Sequence, residues 1–496
     1  MSNEPRKLGL LPLISLVVGS MIGGGIFSMP ADMAQDAGSG AALIGWALTG
    51  IGVIMLALTF QSLANRLPNL DNGIVRYAET GFGRFVGFIS AWGYWLANMI
   101  TIVASSVLLF GALDYFIPVF DGGNNVLAIV CASLLVWLLH SLQLSGIREA
   151  TLVHIVTTMA KLIPILVFIA ALATVFHSPT FIADLWKTAT ETATATATAD
   201  SPIGVSAIGS QVKQAMFVTV WAFLGVEGAV VLSGRAKRKS DVGKATVIGL
   251  IGTLVLYMLV SLLSYGAMSR AALASLPTPS AAYVLETAVG KWGAVLINAG
   301  LIVSLLGLLL GMSLLSAETL YVAGKQKLMP AWLSGENKNG APKGALWMTT
   351  GAVQLFLILV VTASSTYHAL YLVATTAALM PYLLSSLFLV KTAIGGKAYA
   401  PQDSTGESPL WNGPRTRELA YGAAATLYSL FLLYAAGLTN LLYVCMLYTL
   451  GLAFYSFSGR EKGIRAMYQP AEAFAAAAIV VLGLYSALQF ISGHAG

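Results

Sequence analysis

Charge is what this 496-residue chain has least of: Lys, Arg, Asp and Glu make up 10% of it, against 57% hydrophobic residues. Soluble domains carry about 25% charged residues, and a long chain with so few is unable to cover itself in water. A soluble protein is excluded, and the chain belongs in a lipid bilayer. Cysteine is nearly absent as well. Cys131 and Cys445 lie inside apolar runs and read as small buried hydrophobes, neither a disulfide framework nor a metal site. Polar linkers are lacking, so a length that suits about three soluble domains reads instead as one polytopic bundle. Paired acid/base groups and metal-ligand clusters are missing at membrane depth, which argues against an enzyme and against any metal or cofactor. No basic stripe is interleaved with aromatics, so the net charge of +6 gives no nucleic-acid signal.

What is abundant is apolar runs. About 20 apolar residues cross the hydrocarbon core, and the runs and breakers predict thirteen transmembrane helices in an all-α fold. They lie near 10–37, 40–64, 84–113, 124–144, 151–176, 212–233, 245–267, 283–323, 345–363, 367–390, 418–438, 441–457 and 470–492. The eighth is too long for one straight span and must tilt or project. Arg6 and Lys7 precede the first run with no small-residue cleavage site after it, so it reads as a retained span.

Cytoplasmic segments collect Lys and Arg. With the N-terminus inside, 22 of the 27 positive residues fall on cytoplasmic segments, four fall outside, and Lys161 lies within a span. The odd span count puts the C-terminus outside. The Thr/Ala-rich stretch Thr188 to Ala199 falls in an extracytoplasmic loop and reads as a flexible connector.

Two spans are interrupted where lipid tolerates only regular helix, and such interruptions point to binding sites. The first contains Gly19-Ser20-Met21-Ile22-Gly23-Gly24-Gly25-Ile26-Phe27. Its three consecutive glycines each cost about 1 kcal/mol relative to Ala in a helix, so the cluster predicts unwinding. The half-helix beginning near Ile26 then points its positive end and free N–H groups at the break, an anion site suited to a carboxylate. Close helix packing through small residues is the competing explanation. The sixth span contains Trp221-Ala222-Phe223-Leu224-Gly225-Val226-Glu227-Gly228. Interrupted first and sixth spans are the pattern of two inverted five-span repeats holding substrate at the midplane. Carbonyls of Met21, Trp221 and Leu224 would receive an ammonium there.

Three charged residues stand clearly at depth: Lys161, Glu227 and Glu318. Each costs at least about 2.5–3.5 kcal/mol to insert, so each calls for a function. Lys161 is either a titrating or fixed cation for coupling or a partner to a helix end. Glu227 either meets a cationic substrate and relays to the cytoplasmic side or caps the unwound segment. Glu318 either faces the path or braces the eighth span against Lys161 or another neighbour. Trp221 either stacks on or gates a substrate, or packs in the bundle. Tyr94, Trp95, Tyr371 and Tyr382 are weaker aromatic candidates, and His140 and His154 read as structural.

The glycine motif, Leu70-Asp71-Asn72-Gly73, Gly93-Tyr94-Trp95, Trp221 to Glu227 and Met380-Pro381-Tyr382 together resemble the amino acid–polyamine–organocation transporters. The chain is similar to their basic amino acid/polyamine antiporters, above all those exchanging arginine and ornithine. The resemblance implies repeats over 1–177 and 212–394, a loop over 178–211, and peripheral spans over 395–496. It implies that Gly24 and Gly25 offer amides to a substrate carboxylate, with Ser20 and Gly23 in the same motif. Ala97 would line the site, Glu227 would couple the cytoplasmic gate, and Lys161 would hold the fifth-span lysine position of proton-dependent relatives. Ile102 and Met312 fall where arginine-binding relatives carry Asn and Trp, which weakens arginine relative to histidine, lysine or ornithine.

The expected function is secondary exchange of an amino acid for a related amino acid or its amine, arginine for ornithine first, in a bacterial inner membrane. A proton-coupled symporter is the main alternative, followed by a histidine/histamine or lysine/cadaverine exchanger and a non-transporting sensor. The partners expected are small amino acids and amines and the lipid bilayer, with no nucleic acid and a homodimer left open.

Overall fold

The computed structural model describes residues 9–67, 70, 73–186, 205–231, 236–363, 367–395, 415–461 and 468–492. Thr188 to Ala199 and Asp71-Asn72 lie outside these. The described residues form an all-α bundle. Nine helices are long and apolar enough to cross a membrane, ten when one bent pair is taken together.

That pair is the first span. Helix α1 (Leu10–Met21) stops at the glycine cluster and α2 (Gly25–Asp36) resumes at 41° to it. Helices α3 (Ser39–Arg66), α4 (Gly73–Phe82), α5 (Arg84–Asp114), α6 (Val126–Ser145), α7 (Ile147–Val175) and α8 (Ser178–Ala183) follow. The sixth span is α9 (Val205–Trp221), a non-helical stretch, then α10 (Gly228–Val231). Helix α11 (Lys239–Ala267), the short α12 (Arg270–Ala274) and α13 (Ser280–Val289), and the long α14 (Lys291–Lys325) come next. The chain closes with α15 (Lys343–Ala363), α16 (Tyr367–Gly395), α17 (Arg415–Glu461) and α18 (Pro470–Ile491).

One element differs from the sequence expectation. The eighth run is not one helix: Gly290, at φ 88°, ends α13 and precedes α14, whose 35 residues still exceed one straight span. The expected runs 418–438 and 441–457 correspond to the two helical stretches of α17, which part at Gly437, φ 78°. Both glycines adopt the left-handed backbone that other residues disfavour.

Helix α5 is the axial element, and nearly every residue from Phe85 to Phe110 is buried. The later helices dock on it. Trp92 Nε1 donates to the Leu447 carbonyl at 3.1 Å and the Tyr448 hydroxyl to that of Ile89 at 3.2 Å. Arg66 closes the N-terminal end of α17 through Glu418, at 2.5 Å. The two cysteines are free thiols and half-buried, less enclosed than the sequence suggests. His140 is buried, its Nδ1 paired with the Thr350 hydroxyl at 2.9 Å, a structural role.

Candidate functional site

The two helix breaks face each other. Gly225 sits at φ 98°, and a Cβ there would stand 2.7 Å from that of Ser20, so only glycine permits this approach. The Ser20 hydroxyl lies 2.8 Å from the Gly225 carbonyl oxygen, joining the first break to the sixth. Ser20 therefore serves the contact between the breaks.

At the start of α2 the amides of Gly24, Gly25 and Ile26 have no hydrogen-bond acceptor among the described residues, whereas Phe27 donates to the Gly24 carbonyl at 3.0 Å. Unpaired amides at a helix N-terminus carry the positive end of its dipole and make an anion cradle. A Cβ on Gly23 would run into Leu308 of α14, one on Gly24 into Leu108 of α5, and one on Gly25 into Trp221, 2.6 Å from its Cδ1. The glycines thus let three helices close on the amides.

The carbonyls behave unequally. Met21 accepts from the Tyr257 hydroxyl at 3.0 Å and the Gly23 amide at 2.9 Å, filling both lone pairs. Trp221 accepts the Leu224 amide at 3.3 Å. The Leu224 carbonyl has no donor among the described residues and is the one of the three left open to an ammonium.

Lys161 of α7 is fully buried and donates to the Gly19 carbonyl at 2.7 Å and to that of Ile22. These are carbonyls that the break deprives of helical partners, and a cation there also suits the negative end of the α1 dipole. Lys161 thus ends on the first break and not on Glu318, which is half-buried on α14.

Two aromatic seals flank the breaks. On one side Trp221 lies over Gly25 with its ring 5.5 Å from Tyr371 and 6.3 Å from Tyr367. On the other the Tyr382 hydroxyl donates to Glu227 Oε2 at 2.7 Å, and Tyr94 of α5 adjoins the same carboxylate. Glu227 is fully buried, with Tyr382 and Tyr94 the tyrosines at its carboxylate. Ala97 and Ile102 of α5 and Met312 of α14 are buried.

One face of α5 runs Tyr94, Asn98, Thr101, Ser105 and Leu108, at helical spacings of three and four. Its ends touch Glu227 and the Gly24 break. Asn98 lies between them, buried beside Tyr94, a polar group missed in the sequence. Asp32 was missed too: it makes a further charged residue at depth, 7% exposed. Its signal in the sequence is its position seven residues past Gly25 within the first apolar run.

A profile of the family described as amino acid permease matches residues 8–441. The chain belongs to the amino acid permease family. The permease is therefore a membrane transporter and not an enzyme. It is 43% identical over 500 residues to the arginine/ornithine antiporter of Pseudomonas aeruginosa, covering 99% of both chains. It is 40% identical over 487 residues to the arginine/agmatine antiporter of Chlamydia trachomatis serovar L2, covering 97% of both. A third relative, the arginine/agmatine antiporter of Chlamydia pneumoniae, is 38% identical over 462 residues, or 93% of the permease and 92% of that protein.

Proposed function

We propose that the permease exchanges a basic amino acid for a related amino acid or its amine, with arginine and ornithine the first pair to test. One observation carries the reading: two interrupted helices facing each other, with open amides on one and an open carbonyl on the other. An α-amino acid presents a carboxylate and an ammonium on one carbon, and Gly24–Ile26 and Leu224 offer the matching backbone charges. The relatives' printed names support the basic class. Ile102 and Met312 give a guanidinium neither an amide nor an aromatic face, and Asn98, one turn before Ile102, offers a substitute amide.

In this reading spans 1–5 and 6–10, over 1–177 and 212–394, are inverted repeats. The breaks hold substrate while the seals at Trp221/Tyr371 and at Glu227/Tyr382 open in turn. The sealed arrangement is the occluded step of that cycle. The Lys and Arg distribution supports an inner-membrane protein with a cytoplasmic N-terminus and a periplasmic C-terminus. That places the Trp221 seal outside and the Glu227 seal inside. Coupling is mass action between two ligands for one site, because the substrate-free protein reorients slowly.

Counterflow in proteoliposomes tests this. Internal unlabelled arginine or ornithine should accelerate uptake of labelled arginine at least tenfold over empty vesicles. Equal rates into empty and loaded vesicles would refute exchange.

The inner seal supplies a second expectation. Tyr382→Phe removes a hydrogen bond to a carboxylate worth about 1.5–3 kcal/mol. Exchange should fall about tenfold or more while arginine affinity, measured by calorimetry, stays within threefold. A parallel loss of affinity would place Tyr382 in the substrate site instead.

A further inference from the structure

Helix α2 carries Gly25, Ser28, Asp32 and Asp36 at spacings of three and four, so one face runs from the break toward the outer end. Gly25 meets Trp221, and Trp221 packs on Tyr367 and Tyr371. The same two tyrosines stand within electrostatic reach of Asp32, and Tyr367 also adjoins Ser28. The face thus looks onto the first turns of α16.

Nothing in the described protein neutralises Asp32. No hydrogen bond or ion pair reaches its carboxylate, and its one charged neighbour is Asp36, of like sign. Arg270 acts on Asp36 and donates to the carbonyls of Ala34 at 2.9 Å and Gln35 at 3.3 Å, without reaching Asp32. Around the carboxylate stand the buried hydroxyls of Ser28, Tyr367 and Tyr371, that of Tyr367 close to Ser28 and the Trp221 indole, and that of Tyr371 without a hydrogen-bond partner among the described residues. A buried charge without a partner destabilises a protein, and one within a span marks a place where a ligand completes the site. Phenol oxygens, two aromatic faces and a carboxylate are all attractive to an organic cation.

We propose that Asp32, Tyr367 and Tyr371 form an outer subsite for the guanidinium or primary ammonium end of the substrate. Asp32 lies seven residues from Gly25, about 10 Å along the helix, with the Trp221 ring beside the intervening turn. A basic amino acid or amine arriving from outside meets the carboxylate first. Its α-carboxylate reaches the Gly24–Ile26 amides only when Trp221 yields. An amine without a carboxylate keeps this contact, so both members of an amino acid/amine pair use it.

The inference rests on the reading of the protein as a carrier of cationic substrates, and the test separates the two. Arginine and agmatine binding to purified wild type, Asp32→Asn and Asp32→Glu is measured by calorimetry, in sodium chloride and again in choline chloride, with a melting curve for each protein. Asp32→Asn should weaken both ligands at least tenfold and melt no lower than wild type, since it removes an uncompensated charge. Asp32→Glu should remain within about threefold of wild type. Unchanged affinity in Asp32→Asn, or equal losses in Asn and Glu variants, would overturn the subsite. An Asp32→Asn effect confined to sodium chloride would assign the carboxylate to a metal cation and overturn it as well. Wild type that binds neither ligand would overturn the substrate class and the subsite together. Wild type that binds both while Asp32→Asn is silent would overturn the subsite alone.

Discussion

Gly25→Val is expected to abolish amino acid binding while leaving the protein in the membrane. A Cβ on Gly25 would stand 2.6 Å from Trp221 Cδ1 and 2.9 Å from its Nε1, so the indole must leave its position over the break. The added methyls also fill the space before the unpaired amides of Gly24 and Gly25. Two hydrogen bonds to a carboxylate contribute about 1.5–3 kcal/mol each. Losing both weakens binding by roughly two to four orders of magnitude, at a factor of ten per 1.4 kcal/mol. Gly252→Ala is the control, because its Cβ enters open space and the helix gains from the change. Calorimetry with arginine, on protein that runs as a single species in detergent, checks the result. Affinity within threefold of wild type would remove the amides from the site.

Lys161→Met should carry the second largest effect, and through a different route. The ammonium is the donor to the Gly19 carbonyl, at 2.7 Å, and to the Ile22 carbonyl. Without it two buried carbonyls lose a partner, at about 1–3 kcal/mol each. The end of α1 then loses both its cation and its fixed angle to α2. We expect a lower melting temperature, arginine binding weakened at least tenfold, and no measurable counterflow. Lys161→Arg should not rescue, since a planar guanidinium is a poor replacement for a compact ammonium between two converging carbonyls. The symport alternative predicts something else: a Met variant that still exchanges arginine but no longer accumulates it in response to a pH gradient. Measuring both fluxes on one preparation separates the two roles.

The interrupted spans were legible because their cause is local. Three glycines in a row weaken a helix wherever they fall, and α1 and α2 part at that cluster. Gly225 likewise carries the left-handed turn of the sixth span by itself. The division at Gly290 was not legible: a lone glycine in an apolar run looks like any other until its backbone angle is known. The division at Gly437 was legible, since the runs 418–438 and 441–457 already part beside it.

The site was legible as backbone and obscure as side chains. Which amides are open follows from the break, but which carbonyls are already filled depends on Tyr257, a residue 236 positions from Met21. Lys161 stood out as a charge in a span, yet its partners are carbonyls, which leave no mark in a sequence. Asp32 was hidden by place: an acid near the end of an apolar run reads as a span boundary. Only the fold shows it turned inward beside Tyr367 and Tyr371. Asn98 was hidden in the same way among the apolar residues of α5.

The resting place of the substrate carboxylate decides the mechanism, and a structure of the protein with bound arginine measures it directly. It should show the carboxylate within hydrogen-bond distance of the Gly24 and Gly25 amides, the α-ammonium at the Leu224 carbonyl, and the Trp221 ring over the ligand. A carboxylate paired with Lys161, or lying outside the space between the two breaks, would contradict it.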